Sequence, residues 1–423
     1  MIEKSWHELP AFFYLLSSCH TFKLTKNETK MINEHRQIGK QLQLFDMSSS
    51  ASGMVDWYPK GYQLYRRIQS YVRTMQLKYG YHEVNSPVLA NQDIWHTSGH
   101  SDKYQQNMFH LHEHNLAVRP MSCPFHINIF NSLVKSYKQL PYRIAEFGLC
   151  HRNEASGSLN GLFRLRAFNQ DDGHIFCRKG QIKNELKQFC NMLFEMYAHF
   201  GFQKEKIKIK ISLRPDNKIG SDALWDELEQ YLKSGLDELN LSYQLVPGDG
   251  AFYGAKVEFT LEDSLNREWQ CGTFQLDFFL AEKFGCTYLN ESAAPEHPVI
   301  LHRAVLGSIE RFIAILLEHY NGRLPIEFNP NAIILLPISQ QHLNYCYSLH
   351  NKLISMGIAC NIDNSDNSIS YRVRASYKQK CNYCIVIGDQ EQNNNMLTLK
   401  DKKSAYSVHL NDLTPFLLHH KVH

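Results

Sequence analysis

The chain has 423 residues, of which 43% are hydrophobic and 21% charged, and its formal net charge is +3. The length predicts two or three domains, and the composition is that of an ordinary soluble globular protein. No apolar run approaches the roughly eighteen residues of a membrane-spanning helix. A net charge this small neither demands nor forbids a nucleic-acid partner.

Residues 1–33 form a short, poorly patterned lead. Glu3 and Glu8 precede its one apolar run, Phe12–Leu16, and no cationic flank leads into it, which argues against a signal peptide. A long mixed segment then runs from Glu34 to about Arg323. Within it, Tyr62–Lys78 reads as an amphipathic helix, with Leu64, Tyr65, Ile68, Val72, Met75 and Leu77 near helical spacing. Gly80 ends that helix, and YHEVNSPVL reads as a strand stopped at Pro87. Patterning predicts helices over 181–200 and 221–239 and strands over 207–213, 257–261 and 273–279. A further helix is expected over 300–319, after a turn at HRA. Strands follow one another without βαβ alternation, so the expected class is α+β, an antiparallel sheet flanked by helices.

PIEFNPN at 325–331 reads as a linker. Beyond it, AIILLPI, a helix over 341–356, a strand over 359–363 and CIVIGD spell a small α/β domain with a partly parallel sheet. It has no glycine-rich phosphate loop, so nucleotide chemistry belongs to the larger segment. The chain's eleven cysteines, without a signal sequence, favour free thiols in a reducing compartment. The single CxxC, Cys381–Cys384, lies in an apolar run and reads as a buried structural pair.

The stretch FGLCHRNEASGSLNGLFRLRAFNQDDGHIF, Phe147–Phe176, concentrates the chemistry. Two candidate strands flank a loop rich in Gly, Ser and Asn. Arg152 and Glu154 stand at its entrance, and Arg164 and Arg166 at its exit. Arginines on neighbouring strands grip polyphosphates through forked hydrogen bonds. Acidic groups a few residues on can hold an ammonium, and His174 can ligate a metal. Elsewhere Cys123 in RPMSCPFH and His302 in LHRAVLGS are further ligand candidates. One thiolate and two imidazoles suit zinc with a position left open. Their spacings of 51 and 128 residues are too wide for a local zinc finger, and by spacing alone the trio is weak among 22 histidines.

Longer words settle more. GMVDWYPKG, YGYHEVNSPVL, SGHSDKY, RPMSCPFH, the Phe147–Phe176 stretch, GDGAFYGAKVEF, WQCGTFQLDF and VILHRAVLGSIERFIAILLEHYNG resemble, in order and spacing, the threonyl-tRNA synthetases, which are class II aminoacyl-tRNA synthetases. The resemblance is strong over about 34–325 and weak over 330–423. It implies a class II catalytic domain over 34–325 and an anticodon-binding-like α/β domain over 330–423. The helix before Gly80 and the strand ending at Pro87 would form motif 1, at a homodimer interface. The Phe147–Phe176 stretch would be motif 2, and the strand at 273–279 with the GSIERF helix motif 3.

By the same resemblance, Cys123, His174 and His302 would hold one zinc ion per subunit. Asp172 would take the threonine ammonium, with Tyr253 and Gln275 lining the pocket. Arg152 would bridge the ATP α-phosphate and the threonine carboxylate, and Glu154 would meet the adenine edge. Arg164 and Arg311 would clamp the outer phosphates together with Mg²⁺. Gln270 would lie near the ribose and Lys256 on the phosphate and carboxylate side. His100 would help deprotonate the terminal hydroxyl of the tRNA. The implied partners are ATP, L-threonine and tRNA(Thr), and the implied location is cytoplasmic.

Some positions depart from the family pattern. Phe125 replaces a glycine in the usual NCPGH, two residues from a ligand candidate. Ala167 replaces the glycine of an RGF, and Ala255 the proline of YGPK. In the C-terminal domain LTLKDKKSA and SISYRVRAS replace more basic runs, leaving Arg372, Arg374, Lys378 and Lys380 as a basic stripe for phosphates. Only about 33 residues precede the core, so a short form without the family's N-terminal ubiquitin-like and editing domains is expected, one that forms Ser-tRNA and does not clear it in cis. Two other readings compete: a threonine-activating paralogue that serves a non-tRNA acceptor, and a non-catalytic RNA-binding or regulatory relative. Threonine-dependent ATP–pyrophosphate exchange separates the last from the others, and charging of tRNA separates the first two.

Overall fold

In the computed structural model, residues 34–99, 101, 105–263 and 266–419 are described. They sort into two compact units. One comprises Met47–Asp56 with Gln69–Ile315, and the other the described parts of Met1–Asp46, Trp57–Ile68 and Leu316–His423.

The first unit is built on an eight-stranded sheet. Its strands in chain order are β1 (His82–Glu83), β2 (Tyr142–His151), β3 (Ala167–Cys177), β4 (Lys208–Ser212), β5 (Gln244–Val246), β6 (Lys256–Glu262), β7 (Glu268–Asp277) and β8 (Val299–Ser308). Across the sheet they run β5-β4-β6-β7-β8-β3-β2-β1. The pairs from β4 to β2 are all antiparallel, and only the edge strands β5 and β1 pair parallel.

Two long helices cover one face. Along helix α1 (Pro59–Lys78), Tyr71 stacks on His199 at 4.0 Å, and Gln76 donates a 3.0 Å hydrogen bond to Asp171. In α3 (Ile182–His199), Leu186, Phe189, Leu193 and Met196 recur at helical spacing and are buried, with the Phe189 ring 5.2 Å from that of Phe274 on β7. The opposite face receives helix α2 (Cys123–Leu133), whose Phe130 stacks on Phe176 at 4.2 Å beside Ile144 and Ile300. Helix α4 (Asp222–Glu238) is capped by the Ser221 hydroxyl.

Two expectations need correction. Residues 299–308 are strand β8, and the helix, α5 (Ile309–His319), starts only after it. The run VILHRAVLG is inserted between β7 and β3 and buried along both faces, so it lacks the period-two signature of a half-exposed strand. The strand that leads into the GSIERF helix is therefore β8. YHEVNSPVL contributes only the two-residue β1, and its continuation is irregular up to a short strand at Leu89–Asn91.

In the second unit, strands β9 (Ile333–Pro337), β10 (Cys360–Ile362), β11 (Tyr383–Ile387), β12 (Met396–Lys400) and β13 (Ala405–His409) order as β10-β9-β11-β12-β13. The β9 pairings are parallel, and the last two, which patterning did not anticipate, are antiparallel. Helices α6 (Leu343–Ser355) and α7 (Ile369–Lys378) connect the parallel strands. Cys381 and Cys384 are buried free thiols packed with Ile334 and Leu336.

Candidate active site

Register assembles the site. Lys256 on β6 lies opposite Gln275 on β7, Gln275 opposite His302 on β8, and His302 opposite His174 on β3. One row of paired residues therefore brings four candidates from four strands to the same face of the sheet. Cys123 begins α2, which packs on that face. The donor atoms of Cys123, His174 and His302 all lie within 4.8 Å of one another.

The hydrogen bonds around the trio decide where its protons sit. His302 Nε2 is 3.0 Å from the Asp277 carboxylate, so it carries the proton and Nδ1 is bare. His126 Nε2 likewise donates to Glu146 at 3.0 Å, which leaves its Nδ1 as an acceptor. The 2.7 Å contact between His126 Nδ1 and His174 Nδ1 then places a proton on His174 Nδ1. His174 Nε2 is consequently bare, and it faces bare His302 Nδ1 at 2.8 Å. These tautomers follow from the network. Two lone pairs at that distance repel unless a positive charge joins them. Burial lowers the His174 pKa well below its usual value, with His302 and His126 adding to the effect, so a proton is poorly suited to the role. Burial pushes the Cys123 thiol well up, and the carboxylates of Asp172 and Asp277 push it further, a balance that a divalent cation would reverse. The residues fit a zinc-like ion on both counts.

Asp172, opposite Glu146 and Ala304 in the ladder, is buried. Burial raises its pKa despite His126, His302 and Arg303, and its carboxylate accepts no hydrogen bond from any described residue. The Tyr253 ring stands 5.8 Å from that of His302, and Gln275 donates to the Gly254 carbonyl at 3.5 Å. Lys256 pairs with Glu258 at 2.5 Å.

Farther along β2 and β3 the same face carries the arginines. Alternation puts positions 174, 172, 170 and 168 of β3 on one side, with 144, 146, 148 and 150 of β2 opposite them. Past the strand ends, Arg152 donates from its backbone to Arg166, and its guanidinium lies 5.2 Å over the Phe168 ring. Arg164 donates twice to the Glu154 carboxylate, at 3.1 and 2.9 Å. Arg311 reaches in from α5. Gly307, at φ +73°, turns the chain out of β8. Ser308 Oγ then caps α5 by accepting from the Arg311 N–H at 3.1 Å, and the buried Glu310 accepts from the Asn169 backbone at 3.0 Å. The Arg311 guanidinium donates to the carbonyls of Phe163 and Gln270 at 3.1 and 3.0 Å and lies 5.7 Å from the Trp269 ring. Burial pulls its pKa down, and the charges of Arg152 and Arg164 contribute. Three guanidiniums that repel one another, with Glu154 among them, make a site for a polyanion. The Gln270 side chain bonds Thr273 at 2.7 Å. His100 lies outside the described residues.

The Phe125 ring packs against Trp95, Met108 and Ala117 in a small core cluster, where its bulk is absorbed. The supporting residues His126, Glu146 and Asp277 escaped the sequence reading. His126 figured there only as the histidine that ends RPMSCPFH, three residues after Cys123, and the other two depend on register.

A family model described as "tRNA synthetase class II core domain (G, H, P, S and T)" matches residues 107–320, and "Anticodon binding domain" matches 332–420. The RNA binding domain of threonyl-tRNA synthetase from Cryptosporidium parvum Iowa II superposes with a TM-score of 0.87 at 38% identity, covering 91% of this chain and 98% of that one. The chain belongs to the threonyl-tRNA synthetase family. Among its curated relatives, the threonine–tRNA ligase of Dichelobacter nodosus is 45% identical over 381 residues, which is 90% of this chain and 59% of that protein. The enzyme of the same name from Ehrlichia canis is 46% identical over 369 residues, 87% of this chain and 58% of its own length. This family member thus spans a little under three fifths of the curated relatives it matches.

Proposed function

We propose that this chain activates L-threonine with ATP to threonyl-adenylate and transfers the threonyl group to tRNA(Thr). The observation that carries this reading is the arrangement along β3. His174 and Asp172 stand toward one end, and Phe168, beneath Arg152, stands six residues away, about 20 Å at 3.3 Å per residue. That span accommodates an amino acid at one end and a nucleotide at the other. Residues 332–420, which match an anticodon-binding domain, support tRNA as the acceptor.

Cys123, His174 and His302 would hold the zinc, which when bound would supply a Lewis-acidic centre for the amino group and hydroxyl of threonine. Asp172 offers its carboxylate to an N–H of that amino group, and Tyr253 and Gln275 wall the pocket. Arg152 orients the threonine carboxylate against the α-phosphate, where charge builds as the carboxylate oxygen attacks phosphorus and pyrophosphate leaves. Arg164 and Arg311, with Mg²⁺, neutralise the outer phosphates. Glu154 accepts from the adenine edge, Gln270 lies at the ribose and Lys256 at the carboxylate side. His100 assists loss of the proton from the tRNA hydroxyl that attacks the adenylate carbonyl and releases AMP. A cytoplasmic homodimer completes the proposal. Among the described residues, no helix is long and apolar enough to cross a membrane.

The test is threonine-dependent ATP–pyrophosphate exchange, followed by charging of tRNA(Thr). Both activities are expected. Absence of exchange defeats the proposal, and exchange without charging transfers it to another acceptor.

A further inference from the structure

The two imidazoles of the metal-binding trio are supported differently. His302 has the common arrangement, a direct carboxylate on its far nitrogen, Asp277 at 3.0 Å. His174 has no carboxylate on its far nitrogen. It meets a second imidazole, His126 at 2.7 Å, and the carboxylate, Glu146, stands one step farther on at 3.0 Å. All three groups are at most 1% exposed.

Glu146 is itself fixed by several donors. The Ser86 backbone N–H donates to one oxygen at 2.9 Å and the Ser86 hydroxyl to the other at 2.8 Å. Arg119 donates from both terminal nitrogens at 3.1 Å. The Arg119 charge offsets that of Glu146, so the support delivered to His174 is directional and adds little net charge. His126 stands three residues after Cys123 on α2. Successive turns of one helix therefore present a ligand thiol and grip the imidazole of a ligand on the sheet.

We propose that His126 and Glu146 are positioning residues for a divalent cation held by Cys123, His174 and His302: Glu146 fixes the proton of His126 on Nε2, His126 thereby fixes that of His174 on Nδ1, and His174 Nε2 is left bare for the ion. This rests on the reading of the trio as a zinc site. Neither residue contacts the ion. They set which nitrogen of His174 is available and how its ring is turned.

The direction of the relay makes it testable with near-isosteric changes. In His126→Asn the side-chain oxygen takes the place of Nδ1 and still accepts from His174. In His126→Leu that acceptor is removed. In Glu146→Gln the amide oxygen stays with the Ser86 backbone and Arg119, and the amide nitrogen faces His126. The amide then donates to His126 Nε2, moves the proton to Nδ1, and forces the His174 proton onto Nε2, where it blocks the ion.

Zinc affinity of the apoprotein is measured by chelator competition, cobalt substitution is followed through its visible bands, and thermal melting monitors the fold. The expected order is wild type and His126→Asn within about threefold of each other, with Glu146→Gln and His126→Leu weaker by roughly 10–100-fold and with altered cobalt bands. If Glu146→Gln fails to fold, the Asn and Leu pair decides alone. Folded Glu146→Gln that binds zinc as tightly as wild type, or equal losses in the Asn and Leu variants, overturns the relay and leaves only a packing role. A wild-type chain that takes no zinc overturns the metal site on which the relay rests.

Discussion

Arg311 is the candidate phosphate ligand whose position owes most to its neighbours. Two carbonyls and the Trp269 ring hold it, and Trp269 in turn stacks face to face on Phe163 at 4.0 Å. If Arg311 holds the outer phosphates as proposed, Arg311→Ala removes a preorganised charge from the transition state and is expected to lower the exchange rate constant by about a hundredfold or more. Trp269→Leu leaves the charge but loosens its seat. The ring stack and the cation–π interaction it removes are together worth roughly 1–2 kcal/mol, so KM for ATP should rise about tenfold while KM for threonine holds. Equal rises in both would show that the stack supports the whole site and has no particular role toward Arg311. Substrate choice belongs to the same scale. A site that binds the threonine hydroxyl leaves its polar groups unpaired when valine enters, so exchange with valine should fall by about 10⁴-fold. Serine lacks only a methyl group, a difference worth roughly 10–200-fold. Exchange assays with the three amino acids check the order, and rejection of serine as complete as that of valine would contradict the pocket chemistry.

At the scale of elements, the turn from β8 into α5 joins the proposed metal end of the site to the proposed phosphate end. Gly307 holds φ +73°, and a Cβ there would stand 3.2 Å from the Cys271 carbonyl oxygen. Gly307→Ala is therefore expected to cost about 1–2 kcal/mol in urea unfolding and to raise KM for ATP by displacing Arg311. An unchanged melt and KM would show that the turn tolerates a side chain. This junction is also where the sequence was hardest to read. A run such as VILHRAVLG, buried on both faces, has no alternation to separate strand from helix, whereas α1, with buried and exposed positions along it, showed its stripe plainly. The hairpin of β2 and β3 was legible because a polar, glycine-bearing loop separates two clear strands. The candidate metal trio was weak by spacing and gained its weight only from resemblance to a family, since its members are 51 and 128 residues apart and meet through the β3–β8 register and the docking of α2. The relay behind His174 was not legible at all. Nothing in the spacing of His126 and Glu146 shows that one imidazole will face another across a helix and a sheet.

At the scale of the molecule, the basic stripe on and just after α7 is narrower than the sequence suggested. Arg372 is only 4% exposed, and it donates to the Pro337 carbonyl at 2.9 Å and to the Asp363 carbonyl. It ties α7 to the end of β9 and to the loop after β10 and is not available to a phosphate. Arg374 and Lys378 are exposed, and Lys380 is half-buried. The two kinds of position should therefore fail differently. Arg372→Leu strands two carbonyls and should destabilise the protein by about 1–3 kcal/mol in a denaturant melt. The double reversal Arg374→Glu with Lys378→Glu should leave that melt and the threonine-dependent exchange unchanged. It should raise KM for tRNA and flatten its salt dependence by roughly one unit of log–log slope for each phosphate no longer neutralised. If charging by the double variant matches wild type at every salt concentration, tRNA is gripped by some other surface, and the departures from the family's basic runs in this region carry no cost in recognition.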